Sequence, residues 1–142
     1  MSLSQTTITS IKETIPAIGQ KAEDITARMY EILFSKYPET KPLFANVQSD
    51  QHKILAGTIA AFASNIDNLG ALGDAVESMA TKHVMTNVKP IHYPMVGDSL
   101  LTAMSDVLGD SLSQEHKKAW GEAYTFLGDI LMKSEQELYS QQ

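Results

Sequence analysis

Apolar residues recur along this chain at three- and four-residue intervals, with no alternating strand pattern between turn signals. Ile8, Ile11, Ile15 and Ile18 form a first stripe, the spacing that places side chains on one face of a helix. Ile25, Met29, Ile32 and Leu33 form a second, stopped by Tyr37-Pro38, because the residue before a proline is pushed out of the helical region. Pro16 lies inside the first run; having no amide hydrogen, it is expected to bend the helix or to mark its break. The piece "YPETKPLF" is punctuated by two prolines and reads as a tight one-to-two-turn helix or corner.

The segment "SDQHKILAGTIAAFASNIDNLG" opens with Ser49 or Asp50 as a helix N-cap. It carries Leu55, Ile59, Phe62 and Ile66 inward, and its small residues Ala56, Gly57, Ala60, Ala61 and Ala63 would let another helix approach. Gly57 costs helix stability, which a close crossing would explain. Leu72, Val76, Met79 and His83 follow at spacings of four, three and four. Past Pro90, the residues Val96, Leu100, Met104, Val107 and Leu108 make another face, closed by Gly109. The last run extends from about Ser113 to about Tyr139, with Trp120, Tyr124, Leu127 and Leu131 facing in. The pattern predicts an all-α domain spanning residues 1–142, with six to eight helices of unequal length crossing obliquely around a cavity.

Composition narrows the partners. At 142 residues and 43% hydrophobic, the chain suits one globular domain with a buried core. A net charge of −6 without a basic cluster argues against nucleic acid or anionic lipid. The absence of cysteine excludes disulfides, zinc-thiolate sites, iron–sulfur clusters and thiol nucleophiles. The N-terminal stretch lacks the form of a secretory signal, and no apolar run reaches membrane-span length. A soluble, cytoplasmic protein, monomeric or homodimeric, is expected.

Two residues raise chemical questions. His83 continues an apolar stripe just before Lys89-Pro90. Taken alone it is either a packed core histidine or a metal ligand aimed into an apolar pocket. Glu135 comes four residues after Leu131 on an inward stripe. A carboxylate there requires a partner, unless the face has already reached solvent.

The stretches "ITARMYEILFSKYPETKPLF", "AAFASNIDNL", "TKHVMTNVKPIHYPMVGDSLL" and "KKAWGEAYTFLGDI…EQELY", in this order and at compatible spacing, are what identify the chain as a member of the globin family. It most resembles single-domain bacterial haemoglobins and the haem domain of flavohaemoglobins, from about Ile8 to Tyr139. The resemblance implies a non-covalently held haem b with His83 as proximal iron ligand. It also implies that Phe44, Leu55, Met79 and Val96 line the haem. On the ligand side Tyr30 and Gln51 match a tyrosine–glutamine donor pair, which would stabilise partial negative charge on a diatomic ligand. The connection after Phe44 is short, so a one-residue shift would bring His52 there instead; the continuous register of Leu55, Ile59 and "AAFASNIDNL" favours Gln51. Tyr93 and Glu135 match the residues that hold the proximal histidine. His92 and His116 gain no support from the resemblance and are expected to be exposed polar residues.

The function implied is reversible oxygen binding, with oxidation of nitric oxide to nitrate as the enzymatic reading. The flavin and nicotinamide module of flavohaemoglobins is not among these residues, so a separate electron-donor reductase is expected. The alternatives are a non-catalytic oxygen carrier or buffer feeding respiratory oxidases and, from a different class, a globin-type gas sensor or haem-free interaction domain.

Overall fold

The computed structural model describes residues 3–44, 51–68, 72–85 and 88–140, with the side chain of Gln51 outside that set. Every element among the described residues is helical. In chain order they are α1 (Gln5–Lys36), a 3-10 segment (Pro38–Phe44), α2 (Gln51–Ser64), α3 (Gly73–Met85), α4 (His92–Leu108), a 3-10 turn (Gly109–Ser111) and α5 (Gln114–Ser140). Ser4 caps α1, its side chain accepting the amide of Thr7. Gly109 ends α4 at a φ of 53°, in the left-handed region where a glycine carries no Cβ penalty.

Two expectations are corrected, for Gly57 and for His92 and His116, and one of the two alternatives for Pro16 is removed. Pro16 does not break the first helix, since α1 runs unbroken through it. Its ring lies on the exposed side, opposite the buried Ile11, Thr14 and Ile18, so the carbonyl that loses its amide donor can turn to water. Gly57 marks no close crossing, since a Cβ built there would meet nothing within 4 Å. His92 and His116 are half-buried rather than exposed, and each Nδ1 accepts a backbone amide three residues back, from Lys89 and Ser113. His116 and Ser113 make a reciprocal capping box at the start of α5, while His92 closes the turn that precedes α4. The proposed caps Ser49 and Asp50 lie outside the described residues.

The main core joins α1, α2, α4 and the first half of α5 through Ile11, Ile18, Ile25, Met29, Phe62, Met104 and Trp120. A smaller cluster of Ala80, Tyr93 and Leu131 joins α3, the start of α4 and the second half of α5. Tyr124 and Leu127 pack against both clusters. Buried polar groups answer one another: the Trp120 indole N–H donates to Thr14 Oγ1 at 2.9 Å, and that hydroxyl donates to the Ile11 carbonyl at 2.6 Å. On the outer edge Arg28 pairs with Asp106, and Asp98 takes both Lys36 at 2.6 Å and the Tyr37 hydroxyl at 3.0 Å. Those two donors hold the Asp98 carboxyl below its ordinary range. Being solvent-exposed, these pairs orient α1 on α4 more than they stabilise it.

The close helix approach is between α4 and α5. A Cβ at Gly97 would stand 2.7 Å from Tyr124 Cε2. The ring cannot swing aside freely, because its hydroxyl donates to the Tyr93 carbonyl at 2.7 Å. Gly97→Ala should therefore lower stability: overpacking costs about 1–3 kcal/mol, which exceeds the ~1 kcal/mol that alanine gains over glycine in a helix. Urea unfolding with a midpoint equal to or above wild type would refute this reading.

Candidate functional site

His83 sits in the last turn of α3, one turn after Met79. Its position is fixed from behind. The Val88 amide donates to the His83 carbonyl at 2.8 Å, and the Tyr139 hydroxyl donates to the Val88 carbonyl at 2.8 Å. The Lys89 ammonium lies 3.9 Å from the Tyr139 ring centroid, a cation–π contact. The end of α3 is thus strapped to the end of α5. Sequence reading missed this strap, because Tyr139 carries no stripe of its own beyond the family likeness.

The imidazole meets two side chains from two other helices. His83 Nδ1 is 2.8 Å from Glu135 Oε2 on α5 and 3.0 Å from the Tyr93 hydroxyl on α4. Tyr93 in turn donates to Glu135 Oε2 at 2.6 Å. Glu135 is only 3% exposed, so the alternative of a solvent-facing carboxylate does not hold. Gly128 stands about two turns before Glu135 on α5, where a Cβ would lie 3.5 Å from Tyr93 Cδ1; the helices meet closely enough for the hydroxyl to reach across.

With Glu135 as a carboxylate and His83 as a neutral imidazole, the donor and acceptor roles in this triangle close in one way. A carboxylate accepts and does not donate. Burial, and next the hydrogen bond to Glu135, push the Tyr93 phenol above the ordinary tyrosine value of 10.0, so it keeps its proton and donates it to Glu135. The remaining hydrogen, between the ring and the two oxygens, belongs to His83 Nδ1. That tautomer puts the imidazole lone pair on Nε2, the form a metal ligand requires.

The other elements supply an apolar rim. Tyr30 on α1 packs against Phe34, centroids 5.8 Å apart, and edge-on against Phe44 of the 3-10 segment, 5.3 Å away. Phe34 completes this aromatic group at 5.5 Å from Phe44 and was not singled out from the sequence. Leu55 on α2, Met79 on α3, Val96 on α4 and Leu127 on α5 are half-buried and lean on the two cores. The Gln51 side chain lies outside the described residues; His52 beside it is half-buried. The structure therefore brings His83, Tyr93 and Glu135 into mutual contact, and Tyr30 into contact with Phe44.

The donor set fits a haem. Helix α3 packs on α5, and among the described residues makes no comparable contact with α1 or α2. A planar apolar group would cover side chains that the polypeptide alone leaves half-buried. Among the described residues no three His, Asp or Glu are grouped to hold a bare ion. One histidine with its lone pair on Nε2 suits a metal that brings its own equatorial ligands.

Comparison with known proteins agrees with this geometry. The globin family model matches residues 27–131. A globin-like protein of Aquifex aeolicus is 50% identical over 139 residues, covering 98% of this chain and 99% of that protein. The flavohemoprotein of Rhodopirellula baltica is 44% identical over 143 residues, covering 99% of this chain but 35% of that protein; the chain spans about a third of the flavohemoproteins it matches. Among solved structures, an engineered carbene transferase derived from a candidate nitric oxide dioxygenase of Rhodothermus marinus superposes with a TM-score of 0.94 at 35% identity, covering 98% of this chain and 97% of that one. A bacterial globin of Campylobacter jejuni gives 0.88 at 35% identity, covering 96% and 99%. On family model, relatives and fold alike, this chain belongs to the globin family, and membership implies a bound haem.

Proposed function

We propose that residues 1–142 act as one cytoplasmic haem-b domain that binds dioxygen reversibly and oxidises nitric oxide to nitrate, re-reduced by a separate electron donor. The observation that carries this reading is the triangle of His83, Tyr93 and Glu135. When bound, the haem supplies the iron at which diatomic ligands and electrons are exchanged. With no cysteine in the chain, thioether attachment is excluded and the group is held by His83 and by packing.

The chain's own residues then divide the work. Glu135 accepts the Nδ1 hydrogen of His83, which fixes the ring's orientation and gives it anionic character. Tyr93 donates to the same carboxylate oxygen and locks it in place. An imidazole polarised in this way is a stronger electron donor than one bonded to a neutral carbonyl, and so favours reactive oxygen chemistry over passive storage. On the opposite face Tyr30 and Gln51 are the donors to a polar diatomic ligand, while Phe44 and Leu55 exclude water from it. Met79 and Val96 complete the apolar contact around the group.

Three outcomes test the reading. Glu135→Gln should lower the iron–histidine stretching frequency in resonance Raman spectra of the ferrous protein and raise the haem reduction potential, because the ferric state loses its neighbouring negative charge. Wild-type values for both would remove the electronic role of the triangle. Tyr30→Phe should speed oxygen dissociation by roughly one to two powers of ten, the equivalent of a hydrogen bond to a charged acceptor; if His52→Ala has the larger effect, the residue facing the ligand is His52 rather than Gln51. Rapid mixing of the oxygenated protein with nitric oxide should yield one nitrate per haem, and a reductase supplied in trans should make the reaction catalytic. Slow or absent nitrate formation would leave the protein an oxygen carrier.

A further inference from the structure

Thr26 lies one turn before Tyr30 on α1 and is fully buried. A threonine inside a helix usually turns its hydroxyl back onto a carbonyl of its own helix, as Thr14 does with Ile11. Thr26 reaches outward instead. Its Oγ1 is 2.6 Å from the His52 carbonyl of α2, against 3.2 Å from the Glu23 carbonyl of its own helix. There is one hydrogen to give, and the shorter contact is the one across the helix crossing. Ala22 and Ala56, each one turn from the bonded pair on its own helix, are buried in the same cluster.

We infer that Thr26 is a positioning residue for the ligand-facing side of the pocket: its hydroxyl, bound to the His52 carbonyl, fixes the first turn of α2 against the turn of α1 that carries Tyr30. The inference rests on the assignment of Tyr30 and Gln51 above. Its physical basis is register. A one-residue slip of α2 would move each carbonyl about 1.5 Å along the axis and turn it by about 100°, far beyond what a 2.6 Å hydrogen bond tolerates. Apolar packing between α1 and α2 is non-directional and would accept small sliding. The buried hydroxyl does not. It therefore selects which side chain at the start of α2 stands beside Tyr30.

Two variants of the haem-loaded protein separate hydrogen bonding from packing. Thr26→Val keeps the shape and removes the donor; Thr26→Ser keeps the donor and removes a methyl. Hydrogen–deuterium exchange of the amides of residues 51–57 should be about fivefold faster in Thr26→Val, the equilibrium equivalent of one neutral hydrogen bond, with α5 unchanged. The C–O stretching band of the carbon monoxide form should broaden or split in the same variant. Thr26→Ser should stay near wild type in both measurements. Wild-type exchange and a single unshifted band in Thr26→Val would overturn the inference, as would equal disturbance by Thr26→Ser. Tyr30→Phe, read alongside, separates the two claims: if it leaves the band unmoved while Thr26→Val still speeds exchange, the helix clamp stands and the ligand-facing assignment of Tyr30 is what fails.

Discussion

A carboxylate that is 3% exposed has to be answered by hydrogen bonds, and Glu135 is answered by residues from two other helices, His83 on α3 and Tyr93 on α4. Left alone, such a group would cost several kcal/mol. Satisfying it requires three helix faces to meet at one point, which fixes where α3 lies along α5. That placement matters because, among the described residues, the main packing of α3 is on α5 rather than on α1 or α2. The polar triangle and the Tyr139 strap therefore hold the helix that the larger apolar core does not reach.

The division of the core follows from this. Hydrophobic burial dominates the packing of α1, α2, α4 and the first half of α5, where, among the described residues, eighteen buried ones form one cluster. The second cluster has three buried residues and leans on half-buried neighbours. Directional bonds take over where apolar area is scarce. Tyr124 spans the boundary: its ring lies against Gly97, its hydroxyl holds the Tyr93 carbonyl, and burial raises its phenol above the ordinary tyrosine value of 10.0. The ring thereby transmits the position of α4 to the hydroxyl that meets Glu135. On the ligand-facing side Thr26 stands in a comparable place, a single buried hydroxyl set into an apolar crossing.

The site was legible to different depths in the sequence. His83 and Glu135 stood out because each interrupts an apolar stripe with a group that needs a partner, and the structure joins them at 2.8 Å. Tyr93 entered only through family resemblance, since an aromatic at the start of a helix has an ordinary reading as core. The bond from Thr26 to His52, the ring contact of Phe34 with Phe44, and the hydrogen bonds of Tyr124 and Tyr139 all form between segments far apart in the chain, where sequence spacing says nothing. Gly57 and Gly97 show the same limit from the other side. Both are glycines within helices, yet only Gly97 meets a neighbouring ring.

By itself the sequence determined what depends on near neighbours: helical periodicity, the stop at Tyr37-Pro38, the glycine end of α4, and the inward stripes that carry His83 and Glu135. Those features are set within one or two turns of the chain, so they can be read without knowing the fold. Even there the choice between a bend and a break at Pro16 was open, because the fate of the carbonyl that loses its amide donor depends on its exposure, which is a tertiary fact. Only the tertiary structure decided which nitrogen of His83 carries its proton. The answer requires three side chains separated by 10 and 42 residues to share one oxygen-lined corner, and hydrogen-bond directions exist only once those atoms are placed.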